Sequence, residues 1–184
     1  PLFGVNANVA ALGPSATLAI NELSAKLERE GREIYRFGLG QSPFPVPPVV
    51  VDALRENSHQ KDYLPVKGLW ALRDAIAKWH ARRDGLKCTA EDVLIGPGSK
   101  ELLFLAQLAN HGDLCIPSPS WVSYGPQARI IGRQIDWLTS SADEGWLLSP
   151  ERLEAYCESD PGRARMLILN YPSNPTGASY TQWQ

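Results

Sequence analysis

The chain has 184 residues, with 18 basic and 20 acidic side chains mixed along its length and a formal net charge of −2. That length can bury one full core, or one domain with a piece of another. The charge balance excludes a basic stripe for nucleic acid and an acidic tail, and no apolar run reaches the length of a membrane span. The N-terminus lacks the basic and apolar regions of a signal peptide. Cys88, Cys115 and Cys157 are odd in number, far apart and free of any C-x-x-C pair, which fits reduced cytoplasmic thiols better than disulfides or zinc. His59, His80 and His111 are equally scattered, so no metal site is expected.

Residues 1–13 are small, apolar and aperiodic, and read as an arm or an irregular lead-in. A helix starts at Pro14-Ser15, puts Leu23 and Leu27 on one face, and stops at Gly31. Ile34 to Phe37 reads as a short strand. The proline-rich stretch from Gly38 to Pro48 is too stiff for helix or ladder. It is either a plain linker or a connection in which Gly40 lets backbone approach a ligand. A helix is predicted from Pro48 to Asn57, then a polar run to Asp62, then Tyr63-Leu-Pro-Val-Lys-Gly68. The next helix ends near Gly85 and carries Leu69, Leu72, Ile76 and Trp79 on one face, expected to be core.

From Val93 the pattern alternates. Strands are predicted at 93–95, 113–116, 134–138 and 166–169. Helices are predicted at 99–110, at 121–131 despite Pro126, and at 149–157. Alternation implies parallel strands with helices on both faces, and ligands at the strand carboxyl ends. Three loops are expected there: 96–100, 117–121 and 170–177.

Each loop has two readings. In Gly96-Pro-Gly-Ser-Lys-Glu101, free N–H groups at a helix start and the Ser99 hydroxyl would cradle an anion, or the stretch is only a Gly-rich turn. The order Gly-Ser-Lys excludes a nucleotide-triphosphate P-loop, and Glu101 occupies the third glycine position of a dinucleotide fingerprint. In Pro117-Ser-Pro-Ser-Trp121, the indole is either core or a stacking face. Asn170-Tyr-Pro-Ser-Asn-Pro-Thr-Gly177 is either only a rigid turn or a ligand loop that presents Asn174, whose amide both donates and accepts. A flat, phosphorylated heteroaromatic with a phenolic oxygen would use all three.

The order and approximate spacing of Tyr63-Leu-Pro-Val-Lys-Gly68, Gly98-Ser-Lys100, Pro117-Ser-Pro-Ser-Trp121 and Asn170-Tyr-Pro-Ser-Asn-Pro-Thr-Gly177 resemble those of class I/II aminotransferases. The likeness runs from about Gly38 to the end of the chain. It implies the α/β fold type I of pyridoxal-5′-phosphate (PLP) enzymes, with a three-layer α/β/α large domain and a mostly parallel sheet, here only in part. Residues 1–42 would be an arm and part of the small domain, and 43–184 the first half of the large domain.

The resemblance also implies roles. Gly98, Ser99 and Lys100 correspond to the phosphate cradle, Trp121 to the residue stacked on the pyridine ring, and Asn174 to the donor to the cofactor's phenolic oxygen. Tyr63 corresponds to a tyrosine that reaches the phosphate of a neighbouring subunit, which implies a homodimer. Gly40 corresponds to a position near the substrate carboxylate. Ser118-Pro119 and Asn174-Pro175 are candidates for cis bonds. Substrates would be an amino acid and a 2-oxo acid, in the cytoplasm, with no nucleic acid or membrane partner.

Such enzymes hold PLP as an imine on a lysine that follows the Asn-Pro-Thr-Gly loop, and clamp the substrate carboxylate with an arginine further on. Neither falls within the 184 residues. The expectation is therefore an N-terminal portion, truncated and inactive alone, with no catalytic residue of its own. Strand 93–95 would then lack a neighbour. Ser58-His-Gln-Lys61 has a bare Ser-x-x-Lys spacing but lies in a polar run, so it reads as a solvated loop. Alternatives are a non-catalytic cofactor-binding or dimerising remnant, a PLP lyase or synthase of the same fold, and an unrelated phosphate-binding α/β domain.

Overall fold

The computed structural model describes residues 4–38 and 40–184. Residues 1–3 of the expected arm and Leu39 of the proline-rich stretch lie outside the described residues. The arm holds one short helix, α1 (Ala7–Ala10), started by Asn6, whose side chain accepts from the Asn8 amide at 2.8 Å. The chain forms two compact units, 14–96 and 97–184 together with the arm.

The first unit holds α2 (Ala16–Arg29), α3 (Pro48–Asn57), α4 (Trp70–Asp84) and a 3-10 turn at Ala90–Asp92. Proline at the start of α3 costs nothing because its missing N–H would have no helical partner. Gly31 and Gly85, both at positive φ, follow α2 and α4 where the sequence placed the stops.

Two expectations here are corrected. Residues 34–37 form no strand, and Tyr35 and Phe37 are exposed. An extended tetrapeptide without a ladder partner does not become a strand. On α4 the apolar face is not core: Leu69, Leu72 and Trp79 are 48%, 45% and 42% exposed, and Ile76 is half-buried. The buried positions are Arg73 and Ala77, one turn apart. Arg73 donates to the Ala90 carbonyl at 2.7 Å and lies 3.5 Å from the Glu91 carboxylate. A buried guanidinium, bonded to the 3-10 turn through Nη1 and with its Nε left without a partner, thus takes the inner place that periodicity assigned to leucine.

Val93 to Ile95 is also corrected: it joins no ladder among the described residues, and Ile95 donates to the Lys67 carbonyl at 3.0 Å.

The second unit contains α5 (Ser99–Ala109), β1 (Asp113–Ser118), α6 (Tyr124–Ile130), β2 (Ile135–Thr139), α7 (Pro150–Glu158) and β3 (Arg165–Leu167). All strands are parallel in the order β2-β1-β3, with Leu114 opposite Ile135 on one side and Met166 on the other. Both faces of β1 are covered, as its unbroken apolar run requires. Leu114 and Ile116 pack with Tyr124, Ala128 and Ile168, supported by Leu103 of α5. Cys115 packs with Leu138 and Leu148, supported by Leu153 and Tyr156 of α7. Helices α5 and α6 cover one face and α7 the other, a three-layer α/β/α arrangement. Burial pushes the Cys115 thiol up to about 11, so it stays neutral and unreactive. Among the described residues no helix is long and apolar enough to cross a membrane.

The edge of the sheet where β1 begins is pinned by charge. Arg163 donates to the Asp113 carboxylate from Nε and Nη2 at 3.0 and 2.8 Å, and Nη2 lies 3.0 Å from Asp136. The Arg163 hydrogen bonds are the main reason the Asp113 carboxyl sits below its ordinary range. A depressed carboxyl contributes stability that is fully present above its unfolded value, about 4, and is lost as pH falls through the lower folded value. Asp113→Asn is therefore expected to lower the urea midpoint at pH 7, and the gap to the unaltered protein should close as pH falls through the lowered folded value of the Asp113 carboxyl. A gap that persisted unchanged in acid would assign the loss to packing rather than charge.

Candidate functional site

Two loops leave the carboxyl ends of paired strands: the end of β1 runs into Pro119-Ser120-Trp121, and β3 runs into 168–177. Both contain the cis bonds expected of them, Ser118-Pro119 and Asn174-Pro175, and Tyr171-Pro172 is cis as well. The third expected loop, 96–100, follows no paired strand; it enters α5 directly.

At that entry Gly98 is the residue before the helix, at φ +97, and no side chain caps the first turn. The N–H groups at the start of α5 are therefore free to meet an anion, reinforced by the helix dipole. Nothing lies within 4 Å of where a Gly98 Cβ would stand, so the approach is open. Ser99 and Lys100 are exposed at this end.

Lys100 bends over the Trp121 indole, its Nζ 5.5 Å from the ring centroid. Trp121 is half-buried: it packs on the Leu114–Ile116 cluster and meets Tyr124 edge-to-face, centroids 5.3 Å apart. The indole therefore packs as part of the core on one side, as the first of the two readings expects. Burial raises the Tyr124 phenol, which stays a neutral hydroxyl.

Tyr124 in turn lines a small cavity with Ser120, Ile168, Asn170, Tyr171 and Asn174. The void has room for about one water. A ring ligand would have to lie on the surfaces around it. Asn174 is exposed, and its amide makes no hydrogen bond among the described residues. Ser120 Oγ is buried there without a partner. The loop beneath is closed by Gly177 N–H to Ser173 O and Ser173 N–H to Ala178 O, both 2.7 Å. Tyr180 anchors it further, accepting from Leu148 N–H at 3.1 Å and donating to Leu148 O at 2.8 Å.

Lys100, Trp121 and Asn174 are therefore brought together through Tyr124, with Gly98 and Ser99 adjacent in the chain. Tyr63 and Gly40 belong to unit 14–96, where both are exposed. Sequence reasoning missed Tyr124 and Ser120. Tyr124 had a signal, an aromatic residue three positions after Trp121 at a helix start.

A parallel α/β sheet covered by helices on both faces, with structural neighbours among aspartate aminotransferases, is the fold of a fold type I transferase. The chain belongs to the aminotransferase class I and II family, whose pattern it matches over residues 32–184. It is 34% identical over 175 residues to a probable aspartate/prephenate aminotransferase of Rhizobium leguminosarum bv. phaseoli, covering 91% of this chain and 42% of that protein. It is 33% identical over 182 residues to the aspartate/prephenate aminotransferase of Thermus thermophilus, covering 96% and 46%. Its structure superimposes on the Thermus thermophilus aspartate aminotransferase with maleate at a TM-score of 0.87 and 32% identity, covering 98% of this chain and 48% of that one. The Rhizobium meliloti aspartate aminotransferase gives 0.88 at 30% identity, covering 97% and 45%. The chain thus spans less than half the length of these relatives.

Proposed function

We propose that these residues are the N-terminal portion of a PLP-dependent aminotransferase that moves an amino group between an amino acid and a 2-oxo acid. The observation that carries this reading is the run Lys100–Trp121–Tyr124–Asn174, which joins an uncapped helix start to a flat face and a free amide. Such a donor set suits a phosphorylated pyridine: cation and N–H groups for phosphate, indole for ring, amide for phenolic oxygen. When bound, PLP supplies an electron sink for the α-carbon of an amino acid. Gly98, Ser99 and Lys100 would hold its phosphate, backbone N–H groups first. Trp121 would keep water off one ring face. Asn174 would donate to the phenolic oxygen and hold its charge in place.

Tyr63 would reach the phosphate of a second subunit in a homodimer, and Gly40 would let backbone meet the substrate carboxylate. In this reading, 1–42 contributes an arm and part of a small domain, 43–184 begins the large domain, and the protein works in the cytoplasm. The lysine that bonds the cofactor comes from outside these residues, so the 184-residue chain does not transaminate by itself.

The test compares the 184-residue chain with the full-length protein, each treated with PLP and then borohydride, and weighed intact. The full-length protein should gain one pyridoxyl group at a lysine outside this chain, and transaminate. A stoichiometric adduct on a lysine within residues 1–184 would sink the assignment of the lysine, and a full-length protein that ignores PLP would sink the whole reading.

A further inference from the structure

Gln107 on α5 and Gln127 on α6 are both more than nine-tenths buried, at 3% and 7% exposure. Gln107 Nε2 donates to Gln127 Oε1 at 2.9 Å, and Gln127 Nε2 donates onward to the Lys100 carbonyl at 2.7 Å. The bonds run from the far half of α5 across to α6 and back to the first turn of α5. Gln107 Oε1 is left buried without a partner.

An orphaned buried carbonyl is destabilising, whereas replacing both amides by apolar groups of like volume is close to neutral. Packing two helices does not require this pair. What the pair supplies, and an apolar pair cannot, is direction. It puts a bond on Lys100 O, a carbonyl with a lone pair to spare beyond its helical bond to the amide four residues on. Lys100 is next to Ser99 and closes on Trp121, while α6 begins three residues after Trp121 and carries Tyr124. The relay therefore ties the uncapped helix start to the element that holds the stacking face.

We infer that Gln127, oriented by Gln107, is a positioning residue that fixes the first turn of α5 against the Trp121 loop, so that phosphate donors and ring platform keep one spacing. This rests on the reading of the site as a PLP site. The requirement falls on ligands that use both parts at once. A ligand with a ring alone is indifferent to the spacing.

The experiment titrates full-length apoprotein with PLP and, separately, with pyridoxal, which has the ring but no phosphate. Gln127→Met is expected to weaken PLP binding about tenfold, the worth of one hydrogen bond, and to leave pyridoxal binding unchanged. The double variant Gln107→Leu/Gln127→Met removes the orphaned amide as well. Its melting temperature should return to that of the unaltered protein while PLP binding stays weak. This variant keeps the question open to refutation even where Gln127→Met alone folds poorly. Recovery of both stability and PLP affinity in the double variant would reduce the pair to packing and overturn the inference, as would equal losses for PLP and pyridoxal. An unaltered protein that binds PLP no better than pyridoxal would instead refute the phosphate cradle itself, and the inference with it.

Discussion

Gly112→Ala is expected to detach β3 from β1 and to cost about 3 kcal/mol, the upper end for forcing volume into a packed site. A Cβ at residue 112 would stand 2.8 Å from Arg165 N and 2.9 Å from Ala164 C, both backbone atoms that cannot rotate away. The contact falls where the two strands begin to pair, beside the bond from Asp113 N–H to Ala164 O at 3.1 Å. Moving β3 also moves the loop it feeds, which carries Asn174, so cofactor binding should fall with stability. The control is Gly162→Ala, where nothing lies within 4 Å of the new methyl and the change should stay within about 0.5 kcal/mol. Urea unfolding of both variants checks this. Equal midpoints for the two would mean that β3 yields without loss, and that the three-residue strand is not what holds the Asn174 loop.

Trp121→Ala is the second large effect, and it acts on stability and binding at once. The indole supports Leu114 and Ile116 from one side, meets Tyr124 edge-to-face and lies beneath the Lys100 ammonium. Truncating it should cost about 3 kcal/mol, the low end for a large aromatic since the ring is only half-buried. Loss of the flat face should weaken PLP binding by roughly tenfold more than any loss from partial unfolding. Trp121→Phe separates the two roles. It fills less of the site and should be modestly destabilised, yet it keeps a ring, so most of the PLP affinity should remain. PLP titration at a temperature where all variants are folded gives the answer. If Trp121→Ala binds PLP as the unaltered protein does, the indole is core only and the platform lies elsewhere.

The sequence by itself determined what acts within about ten residues. Period, caps and proline placed α2 to α7 and β1 to β3 to within about three residues at each end. The alternation of elements read from Val93 onward determined a parallel sheet covered on both faces, even though its first predicted strand does not form. Trp121 and Asn174 stood out because of the strand ends they follow.

Tertiary structure decided everything that depends on what comes up against a surface from elsewhere in the chain. Residues 34–37 and 93–95 have strand composition, but a strand exists only with a ladder partner, and among the described residues they have none. The face of α4 with Leu69, Leu72 and Trp79 was visible as apolar. Its exposure was not, since periodicity finds a face without finding its cover. Nor could spacing show that two glutamines twenty residues apart would be buried against each other, or that Lys100 would close over Trp121. A side chain's partner is chosen by the packing of α5 and α6 on β1, and that choice is made by contacts distant in sequence.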